Sequence, residues 1–455
     1  MKISKAWRNK PLFRRQGDVR FKTGLEAANL LVGEAKRRDS HEHEFIDSIR
    51  STMQCLSPIF DRNPKYAFVA KQLMEPERFI QFRVAWTDDV GVTRMNRGFR
   101  IQYSSSIGPY EGALHFGTHI NSAVIKALGF DAVFSNALTG FDLGAASGGS
   151  DFNPFDKSET ELQRFCQSYM TELAKYIGPD TDSPWIGMGV GEKEMGYLFG
   201  QYKRINLKGV GSGRGFMSFS NQTIYKAPGY GVVHFANQIL KDRNESLEGK
   251  RCLIIGSGKV ARSVAEKLIE YGAIPLTFSD SSGHVYEPDG INLSRLKTIS
   301  KIMDERGALL GRYIISSASA QFNEPESILD IPCDLCFPCG AMNVITADAV
   351  NTLANNGCLG IIEGGASTVT PEARTCLRKR GLAYGPHTMT MTGSAIAHAL
   401  GTDVTDERLQ DEVEKIYQSV KRTAQEFNAR GDLFAGANIY GFLRVANVMM
   451  THGAV

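Results

Sequence analysis

A chain of 455 residues exceeds the roughly 250–300 that one hydrophobic core supports, so two or more domains are expected. Its make-up, 42% hydrophobic, 22% charged and 9% aromatic, excludes a disordered or fibrous chain. A formal net charge of +3 gives no electrostatic reason to expect nucleic acid. With no run of about 18 apolar residues, no membrane span is expected.

The start, MKISKAWRNKPLFRRQGDVRFK, is a basic arm over residues 1–22. It lacks the apolar core of a secretory signal, so a cytoplasmic location is expected, with organelle import by the arm as the alternative. Next, LEAANLLVGEAKRRDSHEHEFIDSIRSTMQCLSPIF returns apolar residues every three or four positions and predicts helix. RFIQFRVAWTDDVGVTRMNRGFRIQYSSS alternates and breaks at DDVG, which predicts two strands and a hairpin. Glycine-rich loops and helices follow to about residue 205.

A second unit opens with the helix VVHFANQILK and the strand RCLIIG. Helix KVARSVAEKLIEYG, strand AIPLTFSD, helix SRLKTISKIMDERG and strands YIISSA, CDLCFP, CLGIIEGG and LAYGP come after it. Strands alternating with helices predict a mainly parallel, doubly wound sheet with helices on both faces. The tail, ERLQDEVEKIYQSVKRTAQEFNA and NIYGFLRVANVMM, reads as two helices free to pack back across the hinge. Eight cysteines suit scattered, reduced thiols. Cys333, Cys336 and Cys339 in CDLCFPC have metal-like spacing, but no outlying Cys or His pair completes a site, so no metal is expected.

The strongest local motif is IIGSGKVARSVAEKLIEYGAIPLTFSDSSG. Gly256 and Gly258 would let the backbone turn and approach a pyrophosphate, Ala261 would allow close helix-to-sheet contact, and the helix N-terminus would face the anion. Ser257, Lys259 and Val260 complete the turn. Asp280 ends the next strand at the spacing of a ribose-contacting acid, and Ser279, Ser281 and Ser282 offer hydroxyls near a 2′ substituent. With Lys259 able to neutralise a phosphate, NADP is expected ahead of NAD.

Several stretches in order, EPERFIQFRVAWTDD, NRGFRIQYSSSIGPY, NALTGFDLG, GGSDFNP, GYLFGQYKR, SDSSG and GANIYGF, carry a family pattern. The chain resembles the hexameric, mostly NADP-dependent glutamate dehydrogenases from about residue 23 to 455. The resemblance implies an N-terminal α/β substrate and oligomerisation domain (23–205) and a Rossmann-like dinucleotide domain (206–425), with C-terminal helices (426–455) returning to the first. It further implies a homo-oligomer, expected to be a hexamer, a small-molecule or nucleotide ligand, and cofactor contacts at Asn343 of CGAMNV and Asn438 of GANIYGF.

The same resemblance marks departures. The carboxylate-binding lysine of GPYKGG corresponds to Glu111, and the glutamine and lysine of the helix before NALTG correspond to Ala132 and Ser135. The catalytic lysine of GGGKGG falls at Ser147 and the proton-shuttling aspartate at Gly187. An expected arginine is Ile224, an expected asparagine is Ala366, and the PGKAANAGG segment is rewritten with His387 and Thr388. Neither serine nor glycine ionises near pH 7, so ordinary glutamate oxidation is not expected. Glu111, His115 and His119 are candidate replacements, since imidazole exchanges protons near neutrality and a shielded carboxylate can hold an amine. The leading expectation is an NADP-linked oxidoreductase acting on a different amine, imine or oxo substrate. Two alternatives stay open: an inactive nucleotide-binding, regulatory or scaffold subunit, and a glutamate dehydrogenase with unusual catalytic groups.

Overall fold

The computed structural model describes residues 21–206, 222–305 and 307–453, so nearly all of the basic arm lies outside the described residues. The first unit begins with α1 (Gly24–Arg38), α2 (His43–Arg62) and α3 (Lys65–Leu73). Thr23 caps α1 by accepting the Glu26 N–H. In α2, Phe45, Ile49, Met53, Leu56 and Phe60 recur at helical spacing and are buried.

The hairpin is β1 (Arg78–Thr87) with β2 (Thr93–Ser104), antiparallel from Arg78 opposite Gln102 to Thr87 opposite Thr93. Then come β3 (Tyr110–Phe116), α4 (Ser122–Leu138), β4 (Ala145–Ser150), α5 (Glu159–Leu173), β5 (Asp182–Trp185) and α6 (Glu192–Ile205). The sheet order is β1-β2-β4-β3-β5, with β3 parallel to both its neighbours. Because strand side chains alternate, Leu114 and Phe116 enter the aromatic cluster of Trp86, Phe152, Phe165 and Tyr169, while Glu111, Ala113 and His115 take the opposite face. A fully buried Arg100–Asp182 pair ties β5 to β2, with Arg100 Nε donating to Asp182 Oδ2 at 3.0 Å and Arg100 Nη1 to the Gly112 carbonyl at 3.0 Å. That brace fixes Ser183 and Trp185 on the face shared with Glu111.

The second unit runs α7 (Gln222–Lys241), β6 (Arg251–Ile255), α8 (Lys259–Glu270), β7 (Ile274–Pro275), β8 (Thr277–Asp280), β9 (Gly283–Tyr286), α9 (Leu293–Asp304), β10 (Gln321–Asn323), β11 (Leu335–Pro338) and α10 (Ala347–Asn355). It continues with β12 (Gly360–Ile362), α11 (Pro371–Arg380), β13 (Ala383–Gly385), α12 (His387–Thr390), α13 (Thr392–Leu400), α14 (Asp406–Glu426) and α15 (Leu433–His452). Five strands form an all-parallel sheet in the order β13-β12-β11-β6-β7.

Two strand expectations need correction. AIPLTFSD divides: β7 pairs with β6, while β8 joins β9 and β10 in a separate antiparallel sheet. YIISSA is not a strand but the end of a 3₁₀ helix, Leu310–Ser316. Leu310 and Tyr313 are buried at a spacing of three while Ile315 is 89% exposed, a period that suits the tighter helix. The Tyr313 hydroxyl then donates to Glu287 at 2.8 Å.

Among the described residues one helix, α15, is long and apolar enough to cross a membrane, although no such span was expected. Its Ile439, Phe442, Val445 and Ala446 are instead buried, in contact with α4 and α2 of the first unit.

Candidate active site and dinucleotide turn

The turn between β6 and α8 lies at the carboxyl end of the parallel sheet, beside the neighbour β11. Gly256 has φ of +115°, and a side chain there would come within 2.9 Å of the Cys339 carbonyl oxygen. Its N–H donates to Ser279 Oγ at 2.8 Å, which clamps the turn to the end of β8. Gly258 is the N-cap of α8, and a Cβ built on it meets nothing within 4 Å. That open space at a helix N-terminus, with Ala261 buried behind it, fits a dinucleotide pyrophosphate. Ser257 is buried and Val260 packs on the domain core.

Lys259 is directed elsewhere than the sequence suggests. Its Nζ lies 2.2 Å from where a Cβ on Gly191 would be, so the chain reaches over to the first domain at the start of α6. Asp280 is also engaged: Oδ1 accepts from Ser282 N–H at 2.8 Å and Ser282 Oγ at 2.5 Å, and Oδ2 accepts from Leu310 N–H at 2.7 Å. A ribose hydroxyl would compete with those donors, whereas Ser281 stays exposed at the strand end. Asn343 sits in the loop after β11 with φ of +58°, its N–H on the Ser367 carbonyl at 2.9 Å. Asn438 is buried within α15, and its amide donates to the Phe434 carbonyl of its own helix at 2.8 Å.

In the cavity between the domains, the structure gathers Glu111, Ser183 and His398. Glu111 and Ser183 are opposite each other on β3 and β5, and His398 comes from α13 of the second domain. His398 Nε2 is 3.0 Å from Ser183 Oγ and 3.1 Å from Glu111 Oε2, and its ring packs on Trp185 with centroids 4.8 Å apart. The Glu111 contact lacks hydrogen-bonding geometry, leaving the buried Oε2 without a donor among the described residues. Asn136 of α4 fixes the backbone here by donating to the Glu111 carbonyl at 3.1 Å and the Gly144 carbonyl at 2.7 Å.

The histidines expected to exchange protons do not join that group. His115 is buried and its Nδ1 accepts the Met188 N–H at 3.1 Å. Burial, with smaller contributions from His119 and Arg100, pushes its pKa down to about 4, so it is neutral near pH 7 and serves the fold. His119 is exposed in the turn before α4. Gly187 answers to His115: a Cβ there would sit 2.2 Å from the Leu114 carbonyl oxygen and 2.8 Å from His115 Nδ1. Ser147 is 2% exposed on β4, and its hydroxyl has no partner among the described residues.

The remaining cleft positions are packed. Ala132 and Ala366 lie against the first core and Ile224 against the second. Ser135 donates to the Asp131 carbonyl of its own helix at 3.1 Å, and Thr388 is buried in α12. His387 bridges the two domains, with Nε2 3.4 Å from Asp131 Oδ2 on α4 and Nδ1 3.3 Å from Glu363 Oε1. Burial lowers its pKa, but the Glu363 charge and the Asp131 contact outweigh burial and raise it to about 9. Glu363 is held at about 2: burial opposes its charge, and His387, Tyr384 and backbone N–H donors overcome that.

Sequence reasoning missed His398, Ser183, Asp131 and Glu363. A carboxylate closing the buried strand CLGIIEGG is a signal that could have exposed Glu363. A lone histidine in the apolar TGSAIAHAL helix gives no such signal, because its partners come from another domain.

A two-domain α/β protein that combines a glycine dinucleotide turn at the end of a parallel strand with a buried polar group shared between its domains has the build of a nucleotide-linked oxidoreductase. Residues 220–453 match the model of the Glutamate/Leucine/Phenylalanine/Valine dehydrogenase family and residues 76–204 that of the Glu/Leu/Phe/Val dehydrogenase dimerisation domain, and the chain belongs to this family. It is 39% identical over 440 residues to the NADP-specific glutamate dehydrogenase of Chlorella sorokiniana, covering 93% of this chain and 84% of that one. Against the Helicobacter pylori protein of the same description the identity is 38%, covering 92% and 98%. The solved Plasmodium falciparum glutamate dehydrogenase superposes with a TM-score of 0.86 at 36% identity, covering 94% of each chain. These similarities overturn the expectation of a different amine, imine or oxo substrate: the relatives matched over nearly the full chain are glutamate dehydrogenases.

Proposed function

We propose that the chain is an NADP(H)-linked glutamate dehydrogenase, interconverting glutamate with 2-oxoglutarate and ammonium, whose cleft works without the family's lysine and aspartate at Ser147 and Gly187. The observation that carries this reading is the full-length identity of 38–39% to NADP-specific glutamate dehydrogenases. The open N-cap at Gly258 would receive the pyrophosphate, and the occupied Asp280 with exposed Ser281 suits a 2′-phosphate. When bound, the nicotinamide supplies hydride chemistry. The chain's own residues orient the substrate and handle protons, and the ionisable groups gathered for this are Glu111 and His398 beside Ser183.

Losing one transition-state contact typically slows turnover about 10²–10³-fold, so the rate should fall at least that far below lysine-bearing relatives. With no lysine at position 111 or 135, the KM for 2-oxoglutarate should reach the upper end of the usual range, ~1 mM or more. Assembly as a homohexamer belongs to the same proposal, supported by the match to a dimerisation-domain model. The test is NADPH oxidation by the purified protein with 2-oxoglutarate and ammonium, read alongside NADPH binding. Slow, ammonium-dependent turnover is expected. A protein that binds NADPH and shows no turnover across millimolar substrate overturns the proposal.

A further inference from the structure

Away from the cleft, two free cysteines of the second domain face each other across neighbouring strands. β11 and β12 run parallel with Leu335 opposite Gly360 and Cys336 opposite Ile361, so the register carried back along both strands sets Cys333 opposite Cys358. The ladder reaches almost that far, since the Leu359 N–H donates to the Asp334 carbonyl at 2.7 Å. Neighbouring strands lie ~4.8 Å apart, within the ~4.4–6.8 Å between α-carbons that a disulfide spans. Cys336 and Cys339, in contrast, stand three residues apart along β11 and its end, ~10 Å by strand rise and on opposite faces, which no disulfide bridges. The same spacing separates Cys333 from Cys336.

Cys333 and Cys358 share one apolar cluster at the amino end of the sheet, 5% and 3% exposed, while Pro332, Gly357 and Leu359 beside them are exposed. A small oxidant can reach such a site where a second protein cannot. The thiols also meet: a hydrogen bond from Cys333, working against burial, pushes the Cys358 thiol down, and the same contact together with burial pushes Cys333 up. Cys358 is therefore the sulfur that ionises, and the thiolate is the nucleophile.

We propose that Cys333 and Cys358 form an oxidation site that closes to a disulfide when hydrogen peroxide is the oxidant, stapling β11 to β12. The Cys358 thiolate attacks one peroxide oxygen, the O–O bond breaks, and the hydroxide released leaves as water with the proton lost from Cys358. The Cys333 sulfur then attacks the resulting sulfenic sulfur, the S–S bond forms, and the sulfenic oxygen departs as water with the Cys333 proton. Two thiols and one peroxide become one disulfide and two waters, each sulfur giving up one electron. The closed loop of about 25 residues contains α10, and its constraint should stabilise the nucleotide domain. This site goes beyond the glutamate dehydrogenase reading and does not rest on it.

The test treats the full chain with hydrogen peroxide, traps remaining thiols with N-ethylmaleimide in denaturant, and digests with trypsin and a protease that cuts before aspartate. That digest frees Cys333 on residues 330–333, Cys336 and Cys339 on 334–347, and Cys358 on 348–374, so mass spectrometry identifies the partner directly. Peptides 330–333 and 348–374 are expected joined by a disulfide, with Tm raised about 5 °C or more over the reduced protein. Cys358→Ser should show neither the link nor the rise; should it not fold, Cys333→Ala carries the same expectation. Both cysteines recovered as maleimide adducts after peroxide, Cys333 joined to peptide 334–347 instead, or an equal Tm rise in the variant would each overturn the proposal.

Discussion

At Gly258 of the dinucleotide turn a Cβ meets nothing within 4 Å, whereas at Gly187, where the family resemblance expects an aspartate, one would sit 2.2 Å from the Leu114 carbonyl oxygen. Both positions are glycine, for opposite reasons. The first opens to solvent at the N-terminus of α8, and the second is small because His115 and the β3 backbone already fill the space. The same contrast extends along the cleft. The dinucleotide turn presents an open helix N-terminus, while Ala132, Ala366 and Ile224, the positions that the family resemblance assigns to the substrate, are packed against the hydrophobic cores. A missing side chain therefore has to be interpreted from what surrounds it.

The largest effect should come from Gly258→Asp. Aspartate is a favourable N-cap residue and the φ of −66° admits it, so the fold should hold with Tm nearly unchanged. A carboxylate facing the pyrophosphate should weaken NADPH binding about 100-fold or more, as juxtaposed like charges cost several kcal/mol. Fluorescence titration of NADPH against both proteins checks this. Unaltered affinity would place the dinucleotide elsewhere and remove the contrast between the two glycines.

Gly187→Ala and Gly187→Asp probe the other side. Either should destabilise by about 2–3 kcal/mol in urea unfolding, since the added carbon strikes backbone that cannot swing away. Removing the ring with His115→Ala should not restore the loss, because the Leu114 carbonyl remains. A Gly187→Asp protein as stable as the native one would mean the site can admit the aspartate that the family resemblance places there.

How much of this was legible follows from the same physics. The parallel sheet and the turn at Gly256 and Gly258 are local in sequence, so a strand, two glycines and a helix announce them. The 3₁₀ helix at Tyr313 was misread because apolar β-branched residues at 314 and 315 look like a strand until one sees that they face solvent. The Glu111–Ser183–His398 group was only a third legible: Glu111 stood out by resemblance, but its partners lie 72 and 287 residues on, and nothing local marks them. His115 misled for the complementary reason. A histidine in a strand announces a titratable ring, while the burial that keeps it neutral depends on the tertiary fold.

The next effect concerns His387, which sits where the two domains meet and, unlike His115, is held charged. Around it stand the Glu363 and Asp131 carboxyl groups, Ser367 at 3.4 Å and the Phe434 ring, with Tyr384 bonded to Glu363 and Arg374 beside Tyr384. A folded pKa of about 9 against an unfolded value of about 6.5 means the stabilisation is complete below pH 6.5 and is lost as pH rises to 9. The span corresponds to on the order of 3 kcal/mol, and the depressed Glu363 is the other side of the same interaction and is not counted again. His115 acts in the reverse sense: its pKa of about 4 means stability falls as pH drops from 6.5 toward 4. Urea unfolding across this range should therefore give maximal stability near pH 6.5, and His387→Lys should flatten the alkaline limb only. An alkaline limb unchanged in that variant would refute the charged bridge.

The smallest effect expected is at Ser147, and its sign is informative. A buried hydroxyl without a partner carries a desolvation cost of about 1–3 kcal/mol that no hydrogen bond offsets, and Ala145 and Ala146 beside it show that β4 accommodates alanine. Ser147→Ala should therefore leave the ligand-free protein as stable or about 1 kcal/mol more stable, the lost van der Waals contact of one oxygen subtracting from the gain. If the hydroxyl finds its partner in a bound substrate, the same variant should lower the stabilisation given by NADPH with 2-oxoglutarate while leaving that given by NADPH alone. Differential scanning calorimetry in the three conditions separates the outcomes. A loss of stability in the ligand-free protein would mean that Ser147 is bonded within the fold, and that this part of the cleft, like Gly187, is shaped by its neighbours and not by a ligand.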